Sequence, residues 1–91
     1  MRVEKLENMF RGWFVGNFDP SVLKTNDVEI AIQNYEANET EAPHVHKIAK
    51  EITVVLDGEF ILNDRHFKEG DILILEENEP MLNFKTLTKV R

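Results

Sequence analysis

The chain lacks cysteine altogether and, in 91 residues, has one serine, one tyrosine, three prolines and four glycines. Without cysteine the protein has no disulfide, no thiolate metal ligand and no thiol nucleophile. No apolar run approaches the length of about 18 residues that a transmembrane helix needs. Residues 1–11 mix charged side chains with single apolar ones, which is not the pattern of a secretory signal. These absences predict a cytoplasmic protein that does not associate with membranes.

Positive charge is also scarce. The 11 lysines and arginines are outnumbered by 17 aspartates and glutamates, which gives a net charge of −6. Nucleic-acid binding needs a basic surface that neutralises phosphates, so the composition argues against a nucleic-acid partner. The glycines are isolated from one another, so there is no phosphate-binding glycine loop, and Ser21 lies outside any nucleophile-elbow pattern.

What the chain does contain is a series of short apolar segments. Residues 28–35 alternate apolar and polar side chains, residues 51–56 are rich in β-branched side chains, and residues 72–75 are continuously apolar. Nothing has the apolar spacing of a long amphipathic helix. Many short strands separated by turn residues predict an all-β fold, either a sandwich or a barrel.

The turns between these segments have recognisable compositions. Asp57 followed by Gly58 is the strongest signal for a two-residue hairpin, and Asn63 followed by Asp64 is a second one. Pro20, after an aspartate that can act as a cap, predicts a single helical turn near the amino terminus.

The most informative segment is PHVHKIAKEITVVLDG, residues 43–58. His44 and His46 are two residues apart, and side chains at that spacing leave the same face of a β-strand. Glu51 follows closely and can join the two imidazoles from a neighbouring strand. Two imidazoles and one carboxylate are a ligand set for a divalent transition metal such as zinc, nickel, iron or manganese. The pattern predicts a metal site at His44, His46 and Glu51.

The spacing His44-x-His46-x4-Glu51-x6-Gly58 resembles the first conserved motif of the cupins. The resemblance extends over roughly residues 28–84, most of the chain. It implies a double-stranded β-helix, also called a jelly-roll barrel, with the metal ligands inside. It further implies a small-molecule ligand in the barrel.

The second half of the chain is also cupin-like but departs from the family pattern in its ligands. Gly70 and Asp71 before an apolar strand are similar to the start of the second cupin motif, which normally ends in a fourth, histidine ligand. In this chain that position falls on or beside Met81, so the site has three ligands. Asn38 replaces the glycine that normally precedes the first histidine, and asparagine also tolerates left-handed backbone.

The resemblance leaves three classes of function open. The first is a small metal-dependent enzyme, and the second is a metal-free isomerase or epimerase acting on a sugar or sugar nucleotide, with the histidines as acid–base groups. The third is a non-catalytic module that binds or senses a small molecule. Met81 and Tyr35 are predicted to line the pocket, whereas His66, next to an apolar position, is predicted to point into solvent.

The predicted organisation is one domain with two parts. Residues 1–27 form a strand and a helical turn that pack on the barrel, and residues 28–91 form the barrel itself. A short chain that closes a barrel has little core and exposed sheet edges. These features predict a homodimer, with residues 13–18 as the expected contact.

Overall fold

The computed structural model of the chain describes residues 1–45 and 49–91. Within these ranges the regular structure consists of short β-strands and one turn of 3-10 helix, without an α-helix. The 3-10 turn is Leu6–Asn8, and the strands are β1 (Trp13–Val15), β2 (Ile30–Ala31), β3 (His44–Val45), β4 (Glu51–Val54), β5 (Glu59–Leu62), β6 (Arg65–Lys68), β7 (Ile72–Leu75), β8 (Pro80–Met81) and β9 (Lys85–Thr86). The prediction of an all-β fold is confirmed.

The chain divides into two compact units, Met1–Gln33 and Asn34–Arg91. The first unit contains β1 and β2, which pair antiparallel with Trp13 opposite Ala31. From the sequence, this segment is assigned to the barrel because the resemblance to the cupins begins near residue 28. Alternation reports that a strand has two faces and does not report its partner, so the pairing had to come from the tertiary structure.

The helical turn expected near Pro20 is replaced by bends. The backbone N–H of Val22 donates to the carbonyl of Phe14 at 2.9 Å, and the N–H of Gly16 donates to the carbonyl of Leu23 at 3.1 Å. The segment therefore returns alongside β1. These hydrogen bonds satisfy backbone groups that a single helical turn would leave without partners.

The strands of the second unit are arranged as one long antiparallel hairpin. β5 pairs with β6, β4 pairs with β7 and β3 pairs with β8, so that each pair encloses the previous one. Isolated bridges from Thr40 to Lys85 and from Tyr35 to Val90 continue the same nesting outward. The chain of this unit thus turns back once, near its middle, and the strands before the turn pair with the strands after it.

The central turn is Asn63 and Asp64, with φ angles of 50° and 62°. Two consecutive residues with positive φ define a type I′ turn, which asparagine and aspartate tolerate, so the prediction of a tight turn here is confirmed. The hairpin predicted at Asp57 and Gly58 is wrong, because β4 and β5 lie in different sheets. Gly58 is instead required where the backbone passes close to the carbonyl of Lys89, leaving no room for a Cβ.

The tip of the hairpin folds back onto its outer end. The Asn63 side chain donates to the carbonyl of Pro80 at 3.0 Å and accepts from the N–H of Leu82 at 2.6 Å. The N–H of Asn63 donates to the carbonyl of Leu82 at 2.8 Å. β9 also pairs with β5, which gives the sheet order β6-β5-β9. The hairpin is therefore wound, and none of the sheets formed by the described residues closes into a barrel.

The core of the second unit lies on one face of these strands. Phe60 is buried at its centre, with its ring centroid 5.4 Å from that of Phe67 and 5.5 Å from that of Phe84. The buried residues of the cluster are Val55, Phe60, Leu62, Leu73, Leu75, Phe84 and Val90, and Tyr35, Phe67 and Met81 pack against it. Because side chains alternate along a strand, this cluster identifies the inner face of each pair.

A single buried hydroxyl connects β9 to the loop before β3. Thr86 is completely buried, and its Oγ1 donates to the carbonyl of Glu36 at 2.6 Å and accepts from the N–H of Glu39 at 2.8 Å. Between them, Asn38 has a φ of 62° and donates its N–H to the carbonyl of Thr86 at 2.9 Å. Asn38 thus adopts a left-handed backbone, a conformation that asparagine tolerates.

Candidate functional site

His44 lies on β3 directly opposite Met81 on β8. Directly opposite residues of an antiparallel pair project from the same face, with Cβ atoms about 4.5–5.5 Å apart. Met81 is half-buried and packs against the core cluster, so this is the inner face. The His44 imidazole is itself exposed, and its Nδ1 lies 3.2 Å from the carbonyl oxygen of Ala42. The register thus places a predicted ligand and a predicted pocket residue side by side.

Glu51 begins β4 and lies opposite Leu75 of β7. Leu75 is a member of the core cluster, so Glu51 also belongs to the inner face of its sheet. Its side chain is half-buried. Thr53 lies on the same face opposite Leu73, so the inner face of β4 carries polar side chains where β7 carries apolar ones, and this placement is compatible with a binding role for Glu51.

Tyr35 connects the core to the acidic loop. Its ring contacts that of Phe84, with centroids 5.1 Å apart, and its hydroxyl donates to Glu41 Oε1 at 3.1 Å. Burial raises the pKa of the Tyr35 hydroxyl well above its usual value, and the nearby carboxylates of Glu41, Glu51 and Glu39 raise it further. The contribution of Glu51 means that this carboxylate lies within electrostatic range of the phenol.

Glu41 is the site residue that sequence reasoning missed. The sequence presented it as one member of a solvated acidic loop. In the structure it is the hydrogen-bond acceptor of the chain's single tyrosine. The only signal in the sequence is the spacing of six residues between Tyr35 and Glu41, which becomes informative once the loop between them is known to fold back.

The predicted ligand His46 lies in residues 46–48, outside the described residues. Among residues 1–45 and 49–91, no three histidine, aspartate or glutamate side chains converge in a geometry suited to a metal ion. The predicted three-ligand set needs His46 in addition to His44 and Glu51. It therefore remains a prediction.

His66 does not belong to the candidate site. Its side chain is 53% exposed on β6, and its Nε2 lies 3.9 Å from a carboxylate oxygen of Glu59. The prediction that His66 points into solvent is confirmed. It serves as a natural control for experiments on His44.

An open depression of about 600 Å³ occurs elsewhere on the second unit. It is lined by Asp57, Gly58, Glu59, Lys68, Glu69, Thr88 and Lys89. Neither Tyr35 nor Met81 borders it. Its charges are of both signs and its floor is open to solvent, so it does not present the convergent polar groups of a binding pocket.

Comparison with known proteins gives no match: no family model, no curated protein and no solved structure is significantly similar to the chain. Within the described part of the chain, no helix is long and apolar enough to cross a bilayer.

The single tyrosine makes the electrostatics of this site measurable. Tyrosinate absorbance reports Tyr35 alone, and we expect its pKa to lie clearly above the ordinary value of about 10. Because the folded form holds this proton more tightly than the unfolded form, the contribution of Tyr35 to stability is complete below about pH 10 and falls as the pH rises further. Glu41→Gln should lower the pKa of Tyr35, although burial will keep it above 10.

Glu36→Gln is the matched control for that titration, because Glu36 lies in the same acidic loop and is not among the carboxylates that raise the pKa of Tyr35. An equal change in both variants would mean that the general charge of the loop, and not the contact with Glu41, sets the pKa.

Proposed function

We propose that Asn34–Arg91 winds into a cupin-type double-stranded β-helix. Two features support this proposal. The strand pairs are nested about the single turn at Asn63 and Asp64, and the tip of the hairpin is hydrogen-bonded to its own outer end. Winding a long antiparallel hairpin about itself is how a jelly-roll is generated, since it brings the innermost and outermost pairs into neighbouring positions.

Within this barrel, we propose a divalent transition-metal site formed by His44, His46 and Glu51. The observation that supports it best is that His44 and Glu51, predicted as ligands from spacing alone, both belong to the inner faces of their sheets. Two nitrogen donors and one carboxylate suit zinc, nickel, iron or manganese. Met81 stands beside His44 in the place of a fourth ligand, where a thioether contributes little to a hard or borderline ion.

The function that this site supports best is binding of a small molecule at the metal centre. A three-ligand centre leaves coordination positions for such a molecule, and Tyr35, which packs against the same core cluster as Met81, supplies a protonated hydroxyl. Glu39 and Glu41 add negative charge beside Tyr35. The site therefore favours a neutral or cationic molecule over an anionic one.

The test is a thermal melt of the full chain after chelation, with and without added zinc or nickel. Metal that binds only the folded state stabilises it by mass action, so at about 100 times the dissociation constant the midpoint should rise on the order of 10 °C for a domain of this size. Protons compete for the imidazoles, so the gain at about pH 7.5 should shrink towards pH 5.5.

His44→Ala should abolish this gain, whereas His66→Ala, a change of the same kind on an exposed strand position, should preserve it. Elemental analysis of the unchelated protein gives an independent measure of bound metal. Absence of any gain in the parent protein would overturn the metal site, and equal loss in both variants would show that the metal binds histidines without regard to the proposed geometry.

A second candidate is a metal-free isomerase or epimerase that acts on a sugar. One observation favours it: Tyr35 is kept protonated beside Glu41 and within range of Glu51, as a proton donor near a carboxylate base would be. Under this alternative, ligand binding would be insensitive to chelation and sensitive to Tyr35→Phe. Under the metal-centre proposal the chelator removes binding.

A further inference from the structure

The outer face of the β4–β7 sheet is aliphatic and uncovered. Ile52 lies opposite Ile74, and Val54 lies opposite Ile72, so four branched side chains form two adjacent cross-strand pairs. They are between 51% and 68% exposed. Their neighbours on the opposite face, Leu73 and Leu75, are buried in the core. Strand β7 is therefore apolar on both faces, and the outer face of the sheet is aliphatic where a solvated face normally carries polar side chains.

The aliphatic surface is bordered by charge at one end and continues at the other. At the charged end, the Lys50 Nζ lies 3.4 Å from the Glu76 Oε2, and these residues precede β4 and follow β7 by one position. Towards the other end the apolar surface extends to Leu56, which is 47% exposed. An apolar centre with charged side chains at its edge is typical of a protein–protein interface.

We propose that a second copy of this chain covers the outer face of β4–β7, here called the aliphatic face (Ile52, Val54, Ile72 and Ile74), by sheet-on-sheet packing. A flat aliphatic sheet face finds its best complement in another flat aliphatic sheet face, packed at about 10 Å as in a β-sandwich. Two identical faces related by a two-fold axis satisfy this requirement without any further partner.

The chemistry of the aliphatic face supports this occupant over others. Its four side chains offer no hydrogen-bond donor or acceptor, so they cannot select a nucleic acid, a sugar or a charged peptide. The net charge of −6 opposes association of two copies through most of the surface. A centre free of charge is where two such copies can approach.

The size of the aliphatic face also fits. Its side chains together expose on the order of 400 Å², which lies within the range of about 300–600 Å² for the largest apolar patch on a typical monomer, a patch that is often functional. A stable interface buries about 800 Å² on each partner, so the aliphatic face with its rim at Lys50, Leu56 and Glu76 provides a suitable centre. Among its described residues the second unit has seven buried apolar residues in its core, and the chain has no cysteine for a disulfide; domains with a small core commonly gain stability by oligomerisation.

Light scattering of the purified full chain tests the proposal. We expect a particle of twice the 10.6 kDa chain mass at micromolar concentration. Ile74→Lys should weaken dimerisation at least tenfold, because it places a charge at the centre of the buried face. Since Ile74 is exposed in the single chain, its fold should persist by circular dichroism. The double variant Ile52→Thr and Ile74→Thr keeps the β-branched shape and should weaken the dimer in the same direction.

Trp13→Lys is the matched control, because residues 13–18 are the contact that the sequence predicted and Trp13 is also exposed. It should leave the dimer intact. A dimer lost in Trp13→Lys and retained in Ile74→Lys would overturn the proposal in favour of the amino-terminal contact. A parent chain that stays monomeric, including one that is monomeric and captures a different protein, would overturn it as well. The proposal is independent of the metal site, and chelation should leave the dimer unchanged.

Discussion

Replacing Thr86 with valine is expected to lower the free energy of unfolding by about 2–4 kcal/mol. Valine fills the same volume but removes the hydroxyl that donates to the carbonyl of Glu36 and accepts from the N–H of Glu39. Because Thr86 is completely buried, water cannot replace that hydroxyl, and two backbone groups lose their partner. Urea denaturation, followed by circular dichroism, measures the difference.

Thr88→Val is the matched control for this experiment. The Thr88 hydroxyl also accepts from a backbone N–H, that of Glu59 at 3.0 Å, and donates to the carbonyl of Lys89 at 2.8 Å. Thr88 is exposed, so water takes over both hydrogen bonds and the loss should stay below about 1 kcal/mol. Losses of similar size in the two variants would show that burial at Thr86 is not what makes its hydroxyl important.

Phe84→Ala is expected to cause the largest loss of stability, about 3–5 kcal/mol, because it leaves a cavity beside two aromatic rings. Phe84 is buried, and its ring contacts those of Tyr35 and Phe60. The substitution should also move the pKa of Tyr35 down towards its ordinary value, since water then reaches a phenol whose pKa is raised mainly by burial. Denaturation and tyrosinate absorbance measure the two effects on the same sample.

Two control variants, Phe84→Leu and Phe10→Ala, should both lose less stability than Phe84→Ala. Leucine keeps part of the buried volume and should give a smaller loss, whereas Phe10 is 65% exposed and its truncation should change stability little. If the pKa of Tyr35 stayed unchanged in Phe84→Ala, the packing of Phe84 against the phenol would not be the source of its desolvation.

Both predictions concern residues that support the candidate site without belonging to it. Thr86 fixes the loop that runs from Glu36 to Glu39, and Phe84 supports the ring of Tyr35. Glu41 follows directly after this anchored loop. The position of the Tyr35–Glu41 hydrogen bond therefore depends on β9, a strand far from both residues in the sequence.

Several features of the structure depend only on local sequence, and these could be predicted from the sequence alone. The tight turn at Asn63 and Asp64, the left-handed backbone at Asn38 and the outward position of His66 follow from the chemistry of single residues or their neighbours. The all-β class follows from short apolar segments between turn residues. The sequence also predicted Glu51 as a ligand that joins the histidines from a neighbouring strand, and in the structure Glu51 lies opposite Leu75 of the core cluster.

Only the tertiary structure decided which strands are neighbours. The sequence Asp57-Gly58 suits a hairpin and equally suits a chain passing from one sheet to another, and the structure has the latter. The tertiary structure also decided the outer strand pairs of the long hairpin and the contact of Tyr35 with Glu41. It likewise decided that the aliphatic face stays exposed in the single chain. The continuous apolar run of β7 does not show which of its faces is covered, and in the single chain only one face is buried. Local patterns specify conformation and face, but partner choice depends on the free energy of packing the whole chain, and a short segment does not contain that information.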